Sequence, residues 1–178
     1  MPEKGRQAEA EGKMQEQELI KQAYEARQRA YVPYSHFGVG AALETADGRV
    51  FLGCNIENAS YTPTVCAERT AIFKAVSEGY RQFRRIAIVG GSMETNAPLQ
   101  RSSDAVTGND RLLDGNIVNE RGFSTPDYCP PCGVCRQVMA EFCDPKTFQI
   151  LLARSVKDYK IYTLEELLPL NFGPEDLS

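Results

Sequence analysis

Two short runs constrain this chain most. Cys66-Ala67-Glu68-Arg69 and Pro131-Cys132-Gly133-Val134-Cys135 together offer three thiols, one carboxylate and one guanidinium, each run at a predicted helix start. Cys132 and Cys135 are three positions apart, which puts both side chains on one side of a first helical turn. A helix N-terminus favours thiolate over thiol, and a metal ion favours it more. Two thiolates are half of a tetrahedral shell. A fold that uses this chemistry has to bring position 66 up to positions 132 and 135.

The rest of the cysteine inventory sharpens that reading. The chain has 178 residues and six cysteines: Cys54, Cys66, Cys129, Cys132, Cys135 and Cys143. Its start, Met1 to Lys13, is charged and lacks the apolar segment of a secretory signal. The expected compartment is therefore reducing, in practice the cytoplasm, and clustered thiols point to metal or catalysis rather than to disulfides. Cys54 and Cys143 stand apart and read as small buried hydrophobes.

Zinc is the expected metal, one ion per chain, with Cys66, Cys132 and Cys135 as its ligands. Three protein ligands leave a fourth position for water, and zinc lowers that water's pKa to about 7. Glu68, two residues after Cys66, is the candidate catalytic group that takes and passes on the proton. Three thiolates around Zn²⁺ leave a formal negative charge, which holds the water's proton more tightly. Arg69 and Gln137 are the candidates to donate hydrogen bonds to sulfur and offset that charge. Cys129 is the alternative fourth ligand and would make a closed, non-catalytic site. Pro130 and Pro131 keep the backbone extended there, which argues that Cys129 points away. His36, the only histidine, reads as a surface residue.

A length of 178 residues fits one domain. No apolar run approaches the roughly 20 residues of a membrane span. The net charge of −4 argues against a polyanion as partner and for a small substrate.

Along the chain, residues 1–14 carry no apolar periodicity and are expected to form an unstructured tail, with the domain occupying 15–178. Leu19, Ile20, Ala23, Tyr24 and Arg27 predict a helix over 15–30 that ends before Pro33. Strands are predicted at Val39–Glu44 and Val50–Asn55 around an Asp47-Gly48 turn. A helix over Val65–Glu78 follows, with Thr64 as N-cap and Gly79 as stop. Arg84–Gly90 reads as a buried strand, so that strand, helix and strand suggest a βαβ crossover in an α/β sandwich. Residues 91–128 are polar and acidic, six acidic against three basic side chains, and read as a flexible insert. Arg111-Leu112-Leu113 is its one hint of a short helix. A helix from Pro131 to Phe142, strands at 147–153 and 159–162, and a short helix capped by Thr163 and Glu166 complete the chain.

At this point the sequence resembles the small zinc-dependent cytidine deaminases. The matching stretches are Pro33-Tyr34-Ser35-His36-Phe37-Gly38-Val39-Gly40-Ala41-Ala42, Gly53-Cys54-Asn55-Ile56-Glu57-Asn58-Ala59, Cys66-Ala67-Glu68-Arg69-Thr70-Ala71-Ile72 and Pro131-Cys132-Gly133-Val134-Cys135-Arg136-Gln137-Val138. Glu166-Leu167-Leu168-Pro169 and Phe172-Gly173-Pro174 close the series in family order. The resemblance implies a three-layer α/β/α sandwich with a mixed five-stranded sheet, assembled as a homotetramer. It implies hydrolytic deamination of cytidine and deoxycytidine to uridine and deoxyuridine with release of ammonia, a pyrimidine-salvage reaction. Zinc-bound hydroxide would attack C4 while Glu68 shuttles protons. Asn55 and Glu57 match residues that hold the ribose 3'-hydroxyl, and Phe37 one that packs near the substrate ring. Ala59, Tyr61 and Phe172 match groups that a neighbouring subunit supplies.

Two features depart from the family pattern: the long 91–128 connection, and Pro130 where the family commonly has Ser. The alternatives are a deaminase of a related base or of a polynucleotide, and a non-catalytic zinc-binding module. The best support for the first alternative is Arg81, Arg84 and Arg85, but three arginines between a helix and a strand usually form a solvated connector, and nucleic acid is not the expected partner.

Overall fold

The computed structural model describes residues 2–93, 111–113, 116–118, 125 and 127–177. The chain opens with α1 (Pro2–Arg27), followed by the hairpin β1 (Phe37–Thr45) and β2 (Val50–Cys54), and by α2 (Ala67–Ser77). Next come β3 (Phe83–Ser92), the short pair β4 (Arg111–Leu113) and β5 (Asn116–Val118), and α3 (Gly133–Phe142). The chain closes with β6 (Gln149–Ser155), β7 (Asp158–Thr163), α4 (Leu164–Leu167) and a 3₁₀ turn at Pro174–Leu177.

Five strands form one sheet in the order β2-β1-β3-β6-β7. Only the β3–β6 pair is parallel, so the sheet is mixed. The expected crossover through α2 therefore does not join neighbouring strands: β1 lies between β2 and β3 and pairs antiparallel with both.

Alternation along the central strands sorts the core into two faces. Ala41 and Leu43 of β1, Ile86 and Ile88 of β3, and Ile150 and Leu152 of β6 pack with Ala71, Ile72 and Ala75 of α2 and Met139 of α3. The intervening Ala42, Ala87, Val89, Leu151 and Ala153 pack against Leu19, Ile20, Ala23 and Tyr24 of α1. Helices thus cover both faces, as a three-layer α/β/α sandwich requires. Small residues on the α1 face let that helix lie close. A Cβ at Gly40 would stand 2.0 Å from the Ala23 carbonyl oxygen.

Three expectations are corrected. First, the backbone of residues 2–14, expected to be an unstructured tail, is helical as part of α1. Its Glu, Lys, Gln and Ala are good helix formers. A helix already held from Leu19 onward also extends residue by residue without a second nucleation step. Second, Arg111–Leu113 is not helical but pairs antiparallel with β5. The Asp114-Gly115 dipeptide between the two runs is a hairpin signal, and Ile117 and Val118 are β-branched. Third, α2 is capped by Cys66 rather than Thr64, whose hydroxyl oxygen accepts from the Asn58 N–H at 3.1 Å.

Of the expected insert 91–128, Gly91 and Ser92 belong to β3. Apart from Met93, β4, β5, Thr125, Asp127 and Tyr128, the remainder lies outside the described residues, and so does its expected flexibility. The capping box on α4 forms as predicted, Thr163 accepting from Glu166 N–H and Glu166 from Thr163 N–H. Gly79 ends the α2 region with φ +95°, a conformation only glycine adopts without strain. Among the described residues, no helix is long and apolar enough to cross a membrane.

Candidate metal centre and active site

Two helix N-termini converge at the site. Cys66 caps α2 and Cys132 caps α3, both in extended conformation and neither spending its side chain on a capping hydrogen bond. That leaves both sulfurs to face each other rather than the helix ends. Cys135, one turn into α3, is buried beside them. Close backbone approach sets α2 in place: a Cβ at Gly53 of β2 would meet the Ala67 carbonyl oxygen at 2.2 Å. Only a glycine allows the first turn of α2, and with it Cys66 and Glu68, to sit so near the sheet.

The three sulfurs form a group whose members all lie within 4.8 Å of one another. Cys66 and Cys132 are 3.8 Å apart, and Cys132 and Cys135 3.5 Å. A tetrahedral ion with Zn–S bonds of about 2.3 Å holds two sulfurs about 3.8 Å apart. The residues therefore fit a zinc ion as a three-thiolate set. The Cys66 thiol is lowered to about 5, chiefly by the hydrogen bond from Cys135, with Arg69 and Cys132 adding to it. The Cys135 thiol is raised, because it is the donor in that bond and is buried.

Glu68 stands in the first turn of α2 and is only 4% exposed. Burial pushes its carboxyl up to about 7, and the neighbouring Cys66 charge adds to the rise. A carboxyl held in this way can take or give a proton near neutrality. Arg69 reaches the cluster: Nη2 lies 3.7 Å from Cys66 Sγ and donates to the Thr64 carbonyl at 3.1 Å. Its Nε is buried without a hydrogen-bond partner.

Gln137, expected to donate to sulfur, is turned elsewhere. Its Nε2 donates to the Phe172 carbonyl at 2.8 Å, so it ties the C-terminal segment to α3. The physical reason is that α3 places it at an exposed position, within hydrogen-bond reach of a carbonyl of the C-terminal segment.

Cys129 is not a member of the thiol group. Its sulfur fills the space where Gly90 lacks a side chain, a Cβ there standing 2.6 Å away. Burial pushes this thiol up to about 12. Cys143 is buried in the core and is likewise pushed up to about 12. Cys54 donates to the Arg29 carbonyl at 3.2 Å.

The other candidate residues lie on β1, on the loop that follows β2, and in the C-terminal segment. Asn55 straps β1: its Oδ1 accepts from Val39 N–H and its Nδ2 donates to the Phe37 carbonyl, each at 2.8 Å. Ile56 and Val65 exchange two backbone hydrogen bonds of 3.0 Å, which folds the loop after Asn55 back to the doorstep of Cys66. Glu57 accepts from Tyr34 N–H at 2.9 Å and Ser35 N–H at 3.3 Å, both on Oε2. The Ser35 side chain foremost, and then these backbone contacts, hold its carboxyl below the ordinary value. Ala59 is exposed. Tyr61 has φ 57° and packs edge-on against Tyr34, ring centroids 6.4 Å apart. Within one chain Tyr61 is 76% exposed, Phe172 58% and Phe37 43%.

Sequence reasoning missed two contributors. Arg136 Nε donates to the Pro131 carbonyl and Nη1 to that of Leu167, both at 2.8 Å, clamping the entry to α3. Its place directly after Cys135 was the available signal. Tyr128, bonded to Asp158 of the distant β6–β7 hairpin, gave no local signal.

Fold and thiol cluster define an α/β/α protein whose candidate metal centre is built on paired helix N-termini. Residues 13–151 match the cytidine and deoxycytidylate deaminase zinc-binding region, and the chain belongs to that family. It is 44% identical over 165 residues to a cytidine deaminase of Halalkalibacterium halodurans, covering 93% of this chain and 99% of that protein. Against a cytidine deaminase of Sporosarcina psychrophila it is 41% identical over 165 residues, covering 93% and 96%. The crystal structure of cytidine deaminase from Burkholderia pseudomallei superposes with a TM-score of 0.65 at 40% identity, covering 86% of this chain and 96% of that one.

Proposed function

We propose that this protein is a cytoplasmic, zinc-dependent hydrolase that converts cytidine and deoxycytidine to uridine and deoxyuridine in pyrimidine salvage. The observation that carries the reading is a buried carboxyl, Glu68, raised to about 7 beside three thiols spaced for a tetrahedral ion. A structural zinc site has no use for such a group.

Cys66, Cys132 and Cys135 hold one zinc ion per chain. Zinc, when bound, is a Lewis acid that makes a water molecule acidic enough to lose a proton near neutral pH. Glu68 accepts that proton and delivers it to the ring nitrogen next to C4. The water's oxygen bonds to C4 as a hydroxyl; Glu68 then takes that hydroxyl's proton and passes it to the amino nitrogen, and the C4–amino bond breaks to leave a C4 carbonyl and ammonia. Arg69 offsets the negative charge of the thiolates. Gln137 serves the site indirectly, through the Phe172 segment.

Asn55 and Glu57 bind the ribose 3'-hydroxyl. The backbone contacts of Glu57 fall on Oε2 and hold the carboxylate in place. Phe37 packs against the substrate ring. Ala59, Tyr61 and Phe172 complete the site of a neighbouring subunit in a homotetramer; the exposure of Tyr61 and Phe172 in the single chain supports their being covered in an assembly.

Glu68→Ala should keep one zinc per chain and lose cytidine turnover, measured as metal content by atomic emission and as ultraviolet absorbance loss with cytidine. Near-parent turnover in that variant would rule the mechanism out. Running deoxycytidine and a cytosine-containing oligonucleotide in parallel tests the substrate class.

A further inference from the structure

The segment entering α3 is stiff and is anchored far from the thiols. Cys129, Pro130 and Pro131 lead directly into Cys132, which has φ −68° and ψ 166°. Each proline fixes its own φ, and each restricts the residue before it to extended conformations. An extended run of this kind spans about 3.1 Å per residue and has little bending freedom. Whatever holds Tyr128 therefore also limits where Cys132 can stand.

Tyr128 is held from three sides, all on the β6–β7 hairpin. Its hydroxyl donates to Asp158 Oδ1. The Arg154 guanidinium lies 4.9 Å from its ring centroid and the Lys160 ammonium 4.6 Å, both within cation–π range. Arg154 in turn grips Asp158 Oδ2 through Nε and Nη2. The main chain is tied nearby: Thr125 N–H donates to the Arg154 carbonyl at 2.7 Å, and Tyr24 of α1 donates to the same oxygen at 2.8 Å.

We infer that Tyr128, with Asp158, is a positioning residue for the second thiol pair: it sets the stand of Cys132 and Cys135 relative to Cys66, and thereby how long the chain retains its metal. The inference rests on the reading of those three thiols as the zinc ligands. Neither Tyr128 nor Asp158 touches the metal site. The anchor works through the two-proline strut, alongside the Arg136 contact to the Pro131 carbonyl.

The test is zinc release from the purified, zinc-loaded full chain into excess chromogenic chelator, with thermal unfolding measured alongside. Tyr128→Phe removes the hydroxyl contact and keeps the ring between its cations; Asp158→Asn weakens the other partner. Both should release zinc about tenfold faster, the lower end of what loss of an outer support costs a metal site. Tyr159→Phe is the control, since it removes a 2.6 Å hydrogen bond to Glu16 from the same strand but not from the strut. Asp158→Glu should restore part of the retention. Release within twofold of the parent for both test variants would overturn the inference, as would equal acceleration in Tyr159→Phe, which would mark general loosening. A parent chain that binds no zinc would instead overturn the reading of the thiols.

Discussion

Arg69 and Cys66 meet on the same helical turn, with the Arg69 Nη2 3.7 Å from the Cys66 sulfur and its buried Nε without a partner. A guanidinium so placed draws electron density from one thiolate of a negatively charged set. Arg69→Gln should keep one zinc per chain and lower kcat for cytidine about tenfold or more, in line with the cost of losing an outer-shell partner. Arg69→Lys should restore little, because an ammonium lacks the planar fork that serves sulfur and the Thr64 carbonyl together. Parent-like kcat in Arg69→Gln would remove this residue from the chemistry.

Gly53→Ala puts a methyl group 2.2 Å from the Ala67 carbonyl oxygen and 2.5 Å from the Ala71 nitrogen. Both are backbone atoms of α2 and cannot swing aside. Overpacking of this kind costs about 1–3 kcal/mol. Urea unfolding should show a loss of at least that size, and turnover should fall more than stability alone explains, since α2 carries Cys66 and Glu68. An unchanged urea midpoint would show that the helix can retreat freely.

Cys129→Ser should retain one zinc per chain. The sulfur occupies the gap beside Gly90 and belongs to the core rather than to the thiol group. A moderate loss of stability is expected from placing a hydroxyl in an apolar gap, on the order of 1–3 kcal/mol. Loss of the metal in this variant would favour a closed four-thiolate site.

Replacing residues 95–122 by a short Gly-Ser turn should leave a folded chain with near-parent turnover. The two ends of the long connection already meet, because a Cβ at Gly91 would stand 3.1 Å from Thr125 Cγ2. Met93 N–H donates to the His36 carbonyl at 2.7 Å, and Thr125 N–H to that of Arg154 at 2.7 Å, so both ends have their own ties. Circular dichroism and cytidine turnover check the expectation. Loss of activity in a folded deletion variant would give the connection a role in the site.

Much of this protein is legible in local pattern. The apolar run of β3, the Gly79 stop and the Thr163–Glu166 box report short-range physics: a continuous apolar stretch, a positive φ, a cap three residues from its partner. The two thiol runs are legible for the same reason, since each is a helix start with its chemistry inside one turn. Gln137 is the counterexample. On sequence it had the same claim on the sulfurs as Arg69, yet its amide goes to a carbonyl 35 positions away.

By itself, then, the amino-acid order determined most of the core helices and strands and which side chains can bind metal or move a proton. Tertiary structure alone decided that β1 separates β2 from β3, that Cys129 fills the notch at Gly90, and that Tyr128 is tied to the β6–β7 hairpin. Each of these outcomes depends on which distant backbone or side chain arrives at a given point. Hydrogen-bond acceptors and apolar gaps look alike along a chain, and only packing brings one of them within reach.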